Sequence, residues 1–448
     1  MRVFLETYGC QMNVADSEVM AGVLERAGMT LADRPEHADA ILLNTCAIRE
    51  HAEQRVLGRL GDFARLKKRR PDLVVGVAGC MAQHLRKRLL DDRSRVLDLV
   101  VGPDGYRQLP ELLRRAAGEP VAHVRLDRDE TYGDLEPKRG DGVRAWVTVQ
   151  RGCDKFCTYC VVPYTRGRER SLPLDDLLRQ VRVAVEAGHS EIVFLGQTVN
   201  SYHDGQHDFA DLLRATNAID GVRRIRYTSP HPSDMSDRVI AAMAECDRVC
   251  PHVHLPLQSA SDPVLRAMNR TYTLAEYRDR LDALRAAIRD LSVTTDIIVG
   301  FPGETDADFQ ATVSFMREVR YDGAFLFKYS ARPDTKAHRW PETVTEAGKG
   351  ERLEHLIALQ LAISAERNEA WIGREVELLV EGDARRGDRQ QFGRTPQFKA
   401  IVVPRDETPV GALRRARVVG ATATTLIAEG ARPVAPSITP EPALVRIG

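Results

Sequence analysis

A three-part α/β chain is the architecture that the 448-residue sequence predicts, and three patterns predict it. Apolar runs alternate with helical patterns over residues 1–118. The alternation resumes six times between 143 and 370, and short strands separated by turns follow from 371 to 430. Alternating strand and helix signals imply a parallel sheet covered by helices, here a three-layer α/β unit, whereas short strands between turn residues imply a small β-barrel. The length suits three domains of about 150 residues each. A hydrophobic share of 43% and a charged share of 29% exclude a disordered or fibrous chain. No apolar run approaches the roughly 20 residues of a membrane span.

In the first part, Val3-Phe4-Leu5, Ala40-Ile41-Leu42-Leu43 and Leu73-Val74-Val75-Gly76-Val77 read as buried parallel strands. Helical patterns lie between them at 17–27 and 50–67, and Asp16-Ser17-Glu18 supplies capping chemistry for the first. Residues 119–142, charged and rich in glycine and proline, read as a linker. In the central part, strands at 144–150, 191–195, 224–228, 252–256, 293–299 and 323–329 alternate with helices at 174–187, 236–246, 274–289 and 306–320. One long helix at 350–372 closes it. Six βα units are too few for a closed eight-stranded barrel, so a partial (β/α)6 barrel is expected, with its chemistry at the C-terminal strand ends. The last part offers strands at 375–380, 398–403, 415–419 and 424–428, a small barrel. The proline-rich tail at 431–448 is expected to be disordered.

The formal charge is zero, so no global field announces a nucleic-acid partner. Local excesses of six positive charges at 55–70, five at 137–170 and three from 371 onward read first as solvated faces. The N-terminus lacks a signal-peptide core and cleavage site, which implies a cytoplasmic chain. Cysteines there are more often metal ligands or catalytic groups than disulfides.

Two cysteine constellations stand out. Cys153, Cys157 and Cys160 form a C-x3-C-x2-C run directly after the first central strand. Three thiolates so close can hold three irons of a four-iron cluster and leave the fourth open for a substrate or cofactor. A structural zinc site is the alternative, but it needs a fourth ligand, and no further cysteine occurs before Cys246. Cys10, Cys46 and Cys80 are dispersed, yet each ends one strand of the first part, and parallel strands of one sheet end on the same edge. Taken singly, each would more often be a small buried hydrophobe. Their recurrence at three strand ends predicts a second three-cysteine site. Cys246 and Cys250 lack a third partner and are read as structural.

The C-x3-C-x2-C run with Tyr159 before its last cysteine resembles the radical S-adenosylmethionine (SAM) superfamily. The chain from residue 1 to about 430 resembles that superfamily's methylthiotransferases, which carry a three-cysteine domain ahead of the barrel and an RNA-binding TRAM barrel behind it. Tyr8-Gly9-Cys10-Gln11-Met12-Asn13 and the segment from Cys157 to Ser171, with its Thr165-Arg166-Gly167-Arg168, are similar to the branch acting on dimethylallyl-adenosine in tRNA. So are Gly196-Gln197-Thr198-Val199-Asn200-Ser201-Tyr202 and His254-Leu255-Pro256-Leu257-Gln258-Ser259-Ala260-Ser261. Thr198 stands where that branch often has Asn, Asp334 where Gly is common, and residues 393–399 are a loose form of the barrel's usual segment.

The resemblance implies methylthiolation of carbon 2 of N6-dimethylallyladenosine next to the anticodon, using two four-iron clusters and two S-adenosylmethionines per turnover. Carbon 2 of adenine is not acidic, so radical chemistry suits it where acid–base chemistry does not. Cys153, Cys157 and Cys160 would hold the radical cluster, and Cys10, Cys46 and Cys80 the sulfur-delivering one. Implied cofactor contacts are Tyr159 as an adenine-packing face, Gly196 and Gln197 beside the methionine moiety, Gln258 and Ser259 at ribose, and Asp296 and Gly300 on the adenine-contacting strand. Each has a structural alternative: a turn glycine, a capping serine, a buried strand. The terminal barrel would track phosphates with Arg394, Lys399, Arg414, Arg415 and Arg417, alongside Arg385 and Arg386. Implied partners are the tRNA anticodon stem-loop and a low-potential electron donor such as flavodoxin or ferredoxin, with a monomeric protein and no membrane. The rival readings are methylthiolation of N6-threonylcarbamoyladenosine and a non-catalytic iron–sulfur RNA-binding protein.

Overall fold

The computed structural model describes residues 1–47, 50–86, 88–91, 96–385 and 389–433; Arg386 and the tail from residue 434 lie outside the described residues. The chain divides into two compact units, Met1–Gln360 and Leu361–Gly448.

The first unit opens with a six-stranded sheet among the described residues: β1 (Arg2–Thr7), β2 (Thr30–Leu31), β3 (Ala40–Thr45), β4 (Val74–Gly79), β5 (Leu99–Val101) and β6 (Val121–His123). Its order is β2-β1-β3-β4-β5-β6 and every pairing is parallel. Successive side chains alternate between faces, so Ala40 and Leu42 join one core with α1 (Gln11–Arg26), while Ile41 and Leu43 join another with α2 (Glu50–Arg69). This is the expected three-layer α/β/α arrangement. The stretch read as linker contributes β6, and its Tyr132 and Leu135 are buried in the first core. β6 is three residues long, too short for its apolar content to stand out in a charged segment. The first helix also starts earlier than its capping signal. Cys10 is the N-cap of α1, and Asp16 lies inside the helix, fully buried.

Six parallel strands follow in two three-stranded sheets: β7 (Arg144–Thr148), β10 (Glu191–Leu195) and β11 (Arg224–Tyr227), then β12 (His252–His254), β13 (Ser292–Val299) and β14 (Gly323–Lys328). Isolated bridges Ile225–Val249 and Gln258–Ile297 continue the curve. The sequence read residues 144–150 as one strand. Here it breaks after β7, and β8 (Gln150–Arg151) pairs antiparallel with β9 (Arg170–Ser171). This hairpin brackets the cysteine run. Helix α1 packs its Met12 and Ala15 against Val193 and Leu195 of the barrel, with Trp146 alongside, so the first sheet domain and the barrel share a core. Glu191, wholly buried, ties β7 to β11 through Arg144 (2.5 Å) and Arg226 (2.8 Å).

The second unit is a closed five-stranded barrel: β15 (Glu375–Asp383), β16 (Gln390–Arg394), β17 (Ala400–Pro404), β18 (Leu413–Ala421) and β19 (Leu426–Pro433), ordered β15-β16-β17-β19-β18. β16 has no apolar alternation because its inward positions are Gln391 and Gly393. A Cβ at Gly393 would lie 2.2 Å from the Leu379 carbonyl oxygen, so only glycine lets these strands close.

Candidate functional site

Cys10, Cys46 and Cys80 follow β1, β3 and β4, which are neighbours in the sheet, so the three thiols share one edge. Close backbone approach sets the spacing. Gly9 (φ +137°) leaves no room for a Cβ, which would sit 2.5 Å from the Cys46 Cβ. Buried Asn13 braces the loops: its Nδ2 donates to Asn44 Oδ1 and the Thr45 carbonyl, both at 3.2 Å, and its Oδ1 accepts from Cys10 Sγ at 3.3 Å. A hydrogen bond from Cys46, aided by Arg166, overcomes burial and brings the Cys10 thiol down to about 6. Burial pushes Cys80 up, opposed by Arg166.

Arg166 lies six residues after Cys160. Its Nε donates to Cys80 Sγ at 3.1 Å and its Nη2 to Asp16 Oδ2 at 2.7 Å. The other Asp16 oxygen accepts from Arg151 Nη2 at 2.9 Å, and the Arg151 guanidinium lies 4.6 Å over the Tyr132 ring. Burial alone would raise the Asp16 carboxyl, but the two arginines hold it below the ordinary carboxylate range. Nothing in the local sequence around Asp16 marks it, since both cations come from far along the chain.

The second triad sits between the β8–β9 hairpin and the end of α10 (Asp262–Ala267). Cys153 N donates to the Gly167 carbonyl at 3.2 Å, Thr158 Oγ1 to the Ala267 carbonyl at 2.8 Å, and Asn269 Nδ2 to the carbonyls of Lys155 and Phe156 at 3.1 Å. Each sulfur has a polar neighbour. Arg270 Nη1 donates to Cys157 at 3.4 Å, the Thr198 hydroxyl lies 3.3 Å from Cys153, and Val162 N is 3.5 Å from Cys160. Thr198, a departure from the branch's usual residue, thus contacts a cysteine. Burial and the Cys157 charge push the Cys160 thiol up to about 12. Cys157 and Cys160 line a cavity of about 250 Å³ with Tyr164, Asn269, Lys336 and exposed Phe156.

The expected cofactor residues divide. Tyr159 packs edge-on to Phe301, ring centroids 6.4 Å apart. Gln197 and Gln258 each keep a buried, unpartnered Oε1, and Gln258 has a left-handed backbone (φ +71°). Asp296 lies 3.2 Å from His254 on β12. Three others have close neighbours within the protein. A Cβ at Gly196 would be 2.9 Å from Gln150 Oε1, which accepts from the amides of Gln197 and Thr198. Ser259 is buried and its hydroxyl accepts from Ser261 N within its own turn. Gly300 (φ +71°) packs beneath Lys349. Asp334 also has positive φ (+70°), which explains why glycine suits that position. Sequence reading missed Arg270, Gln150 and His231. His231 is buried with Nε2 unpartnered, and burial, with Arg270 and Lys155 nearby, keeps it neutral down to about 2. Cys246 and Cys250 are buried.

In the second unit, two expected phosphate contacts are corrected. Arg414 is 2% exposed and donates inward to Gln391 Oε1 and Asp406 Oδ2, both at 2.6 Å. Lys399, 7% exposed, donates to Asn368 Oδ1 at 2.9 Å. On β18, Ala416 and Val418 face inward, and period-two alternation carries Arg414 in with them. Arg415 and Arg417 face out, opposite Glu377 and Glu375 on β15. Arg394 pairs with Glu381 and lies 4.8 Å over the exposed Phe398 ring. Arg385 is exposed.

Among the described residues, no three His, Cys, Asp or Glu donors close on a single metal-ion position. A four-iron cluster asks for something else: sulfurs on separate irons, spread around a body several ångströms wide. Two separate groups of three cysteines suit that demand, and unpartnered Gln197 and Gln258 oxygens at the strand ends suit a polar cofactor beside one of them.

Known proteins resemble this chain in sequence and fold. Residues 147–316 match the Radical SAM superfamily and residues 2–102 the Uncharacterized protein family UPF0004. The fold is that of the radical SAM methyltransferase TsrM from Kitasatospora setae (TM-score 0.56, 15% identity, 75% of this chain and 76% of that one). The cobalamin-dependent radical enzyme OxsB is comparable (TM-score 0.55, 12% identity, 79% and 56%). The molecule is a radical SAM protein with a three-cysteine α/β domain ahead of its barrel, a class that uses a four-iron cluster and S-adenosylmethionine. The tRNA-2-methylthio-N(6)-dimethylallyladenosine synthase of Bacteroides thetaiotaomicron is 47% identical over 96% of both chains. The enzymes of that name from Porphyromonas gingivalis and Chloroherpeton thalassium are 46% and 44% identical, over 96% and 95% of this chain and 94% and 95% of theirs. The chain belongs to this synthase family.

Proposed function

We propose that this protein transfers a methylthio group to carbon 2 of N6-dimethylallyladenosine in the tRNA anticodon stem-loop, acting as a cytoplasmic monomer fed by a low-potential donor such as flavodoxin or ferredoxin. The observation that carries the reading is the pairing of two cysteine triads in one compact unit, each with an arginine donating to a sulfur. No described helix is long and apolar enough to cross a membrane. When bound, the clusters and S-adenosylmethionine supply one-electron cleavage chemistry and the sulfur atom.

The chain's own residues confine that chemistry. Cys153, Cys157 and Cys160 would hold three irons and leave one for the cofactor. Arg270 and Thr198 orient two of those sulfurs. Tyr159, Phe301, Tyr329 and Trp340 form an aromatic wall beside the loop that keeps water from its flank. Gln197, Gln258 and neutral His231 offer buried, unpartnered polar atoms for the cofactor's polar ends. Cys10, Cys46 and Cys80 would hold the sulfur-bearing group, with the target base splayed from its loop to reach it. Anaerobic incubation of the reconstituted, reduced protein with dimethylallylated tRNA and S-adenosylmethionine tests this: 5′-deoxyadenosine and a methylthio nucleoside should form together. Release of neither would make the protein a binding module.

A further inference from the structure

We propose that Arg166 is a positioning residue of the N-terminal cysteine site, where its guanidinium, fixed by Asp16, donates to the Cys80 sulfur and raises the reduction potential of the cluster held there. The inference rests on the reading that Cys10, Cys46 and Cys80 ligate a cluster.

Arg166 belongs by sequence to the other triad, at the last position of α6 (Val162–Arg166), yet its Nε–H points at Cys80 Sγ, 3.1 Å away. Nη2 on Asp16 fixes the guanidinium plane, so the sulfur contact is held rather than sampled. Asp16 stands on α1, the helix that begins at Cys10, so the ion pair ties Cys80 and the Cys10 helix to one cation. Arg166, Asp16 and Arg151 are 4%, 0% and 1% exposed. With two arginines on one carboxylate, the trio keeps a net positive charge in a site that water cannot screen.

A role limited to holding the fold fits this arrangement poorly. One arginine would neutralise Asp16, and buried charge clusters are often replaceable by apolar groups without loss of stability. Moreover, Arg166 Nη1 and two Arg151 nitrogens remain buried without partners, which a purely structural network would have satisfied. Hydrogen bonds to ligating sulfurs and nearby positive charge both stabilise an added electron, and these are established means of setting cluster potential.

The test is a redox titration, followed by electron paramagnetic resonance, of the N-terminal cluster alone in the full chain carrying Cys153→Ala, Cys157→Ala and Cys160→Ala. Against that background, Arg166→Gln should make reduction at least tenfold less favourable, a fall of about 59 mV for a one-electron couple. Arg166→Lys, which keeps the charge, should fall between. Asp16→Asn removes a negative charge and should shift the potential upward. Opposite signs for the arginine and aspartate variants are what packing alone would not produce. Unchanged potential in Arg166→Gln with its irons retained overturns the proposal, as do shifts of the same sign in both variants. Loss of iron from Arg166→Lys as well as Arg166→Gln assigns the arginine to folding and overturns it too. If the background protein with Arg166 intact holds no iron, the ligand reading itself has failed, which is a separate result.

Discussion

Two glycines confine the two cysteine sites, and replacing each by alanine should disable one site while sparing the other. Gly152 precedes Cys153 at φ +77°, and a Cβ there would stand 2.0 Å from the Arg168 carbonyl oxygen and 2.7 Å from that of Gly167. Left-handed backbone costs an alanine about 1–2 kcal/mol. The overlap falls on backbone of the β8–β9 hairpin, which must move, at about 1–3 kcal/mol more. The sum, roughly 2–5 kcal/mol, concentrates on the loop that presents Cys153. Gly9→Ala meets the same problem at the other site, 2.5 Å from Cys46 Cβ and 2.6 Å from Asn13 Oδ1. Gly188 (φ +92°) has nothing within 4 Å, so Gly188→Ala isolates backbone strain from collision. Iron counted after anaerobic reconstitution should be about eight per chain for the unaltered protein and Gly188→Ala, and about four for each of the others. Gly9→Ala should still cleave S-adenosylmethionine, and Gly152→Ala should not. Full iron and an unshifted denaturation midpoint in Gly152→Ala would mean that the hairpin accommodates a Cβ and that this glycine does not set the site.

Further outcomes follow from the buried charges and the barrel surface. Replacing Cys153, Cys157 and Cys160 together by Ala should halve the iron and abolish S-adenosylmethionine cleavage, whereas undiminished iron would remove them as ligands. Glu191 is held between two arginines at about 2, below its ordinary 4.5, a difference of roughly 3 kcal/mol at 1.36 kcal/mol per pH unit. That contribution is complete above pH 4.5 and is lost as pH falls toward 2, so the stability deficit of Glu191→Gln, measured by urea unfolding at pH 7 and pH 3, should narrow on acidification. In the terminal barrel, Arg415→Gln with Arg417→Gln should lower the salt slope of tRNA binding by at most about 1.4, at about 0.7 per phosphate. Arg414→Met should change barrel stability and leave the slope alone. A slope change from Arg414→Met would mean the buried arginine reaches RNA.

How far the sequence carried the structure depended on whether a feature was local. Cys10, Cys46 and Cys80 were legible as sharing one sheet edge because parallel strands end together, and the sheet order β1-β3-β4 makes them neighbours. The run from Cys153 to Cys160 announced itself by spacing. The barrel's six strands were legible as apolar runs between helical patterns, but β6 and β16 were not, the one for brevity and the other because glutamine and glycine fill its inward places. Asp16 carried a misleading signal: a helix-start residue in sequence, it serves as the shared carboxylate of two distant arginines. Arg270 carried none, since only folding brings α10's end to Cys157. The burial of Arg414 was readable after all. Its inward neighbours Ala416 and Val418 set the alternation, which composition-based counting of positive charges ignored. Lys399 gave no comparable warning, because its partner Asn368 comes from the helix before the barrel.

The assignment of dimethylallyladenosine as substrate turns on one nucleoside. Mass spectrometry of tRNA nucleosides from a strain lacking this protein should show dimethylallyladenosine accumulating and its 2-methylthio form absent. The form should be restored by the intact chain and by neither the Cys10→Ala, Cys46→Ala, Cys80→Ala variant nor the corresponding variant at 153, 157 and 160. Normal 2-methylthio-N6-dimethylallyladenosine in the deletion strain, with loss instead of a methylthiolated threonylcarbamoyladenosine, would contradict it.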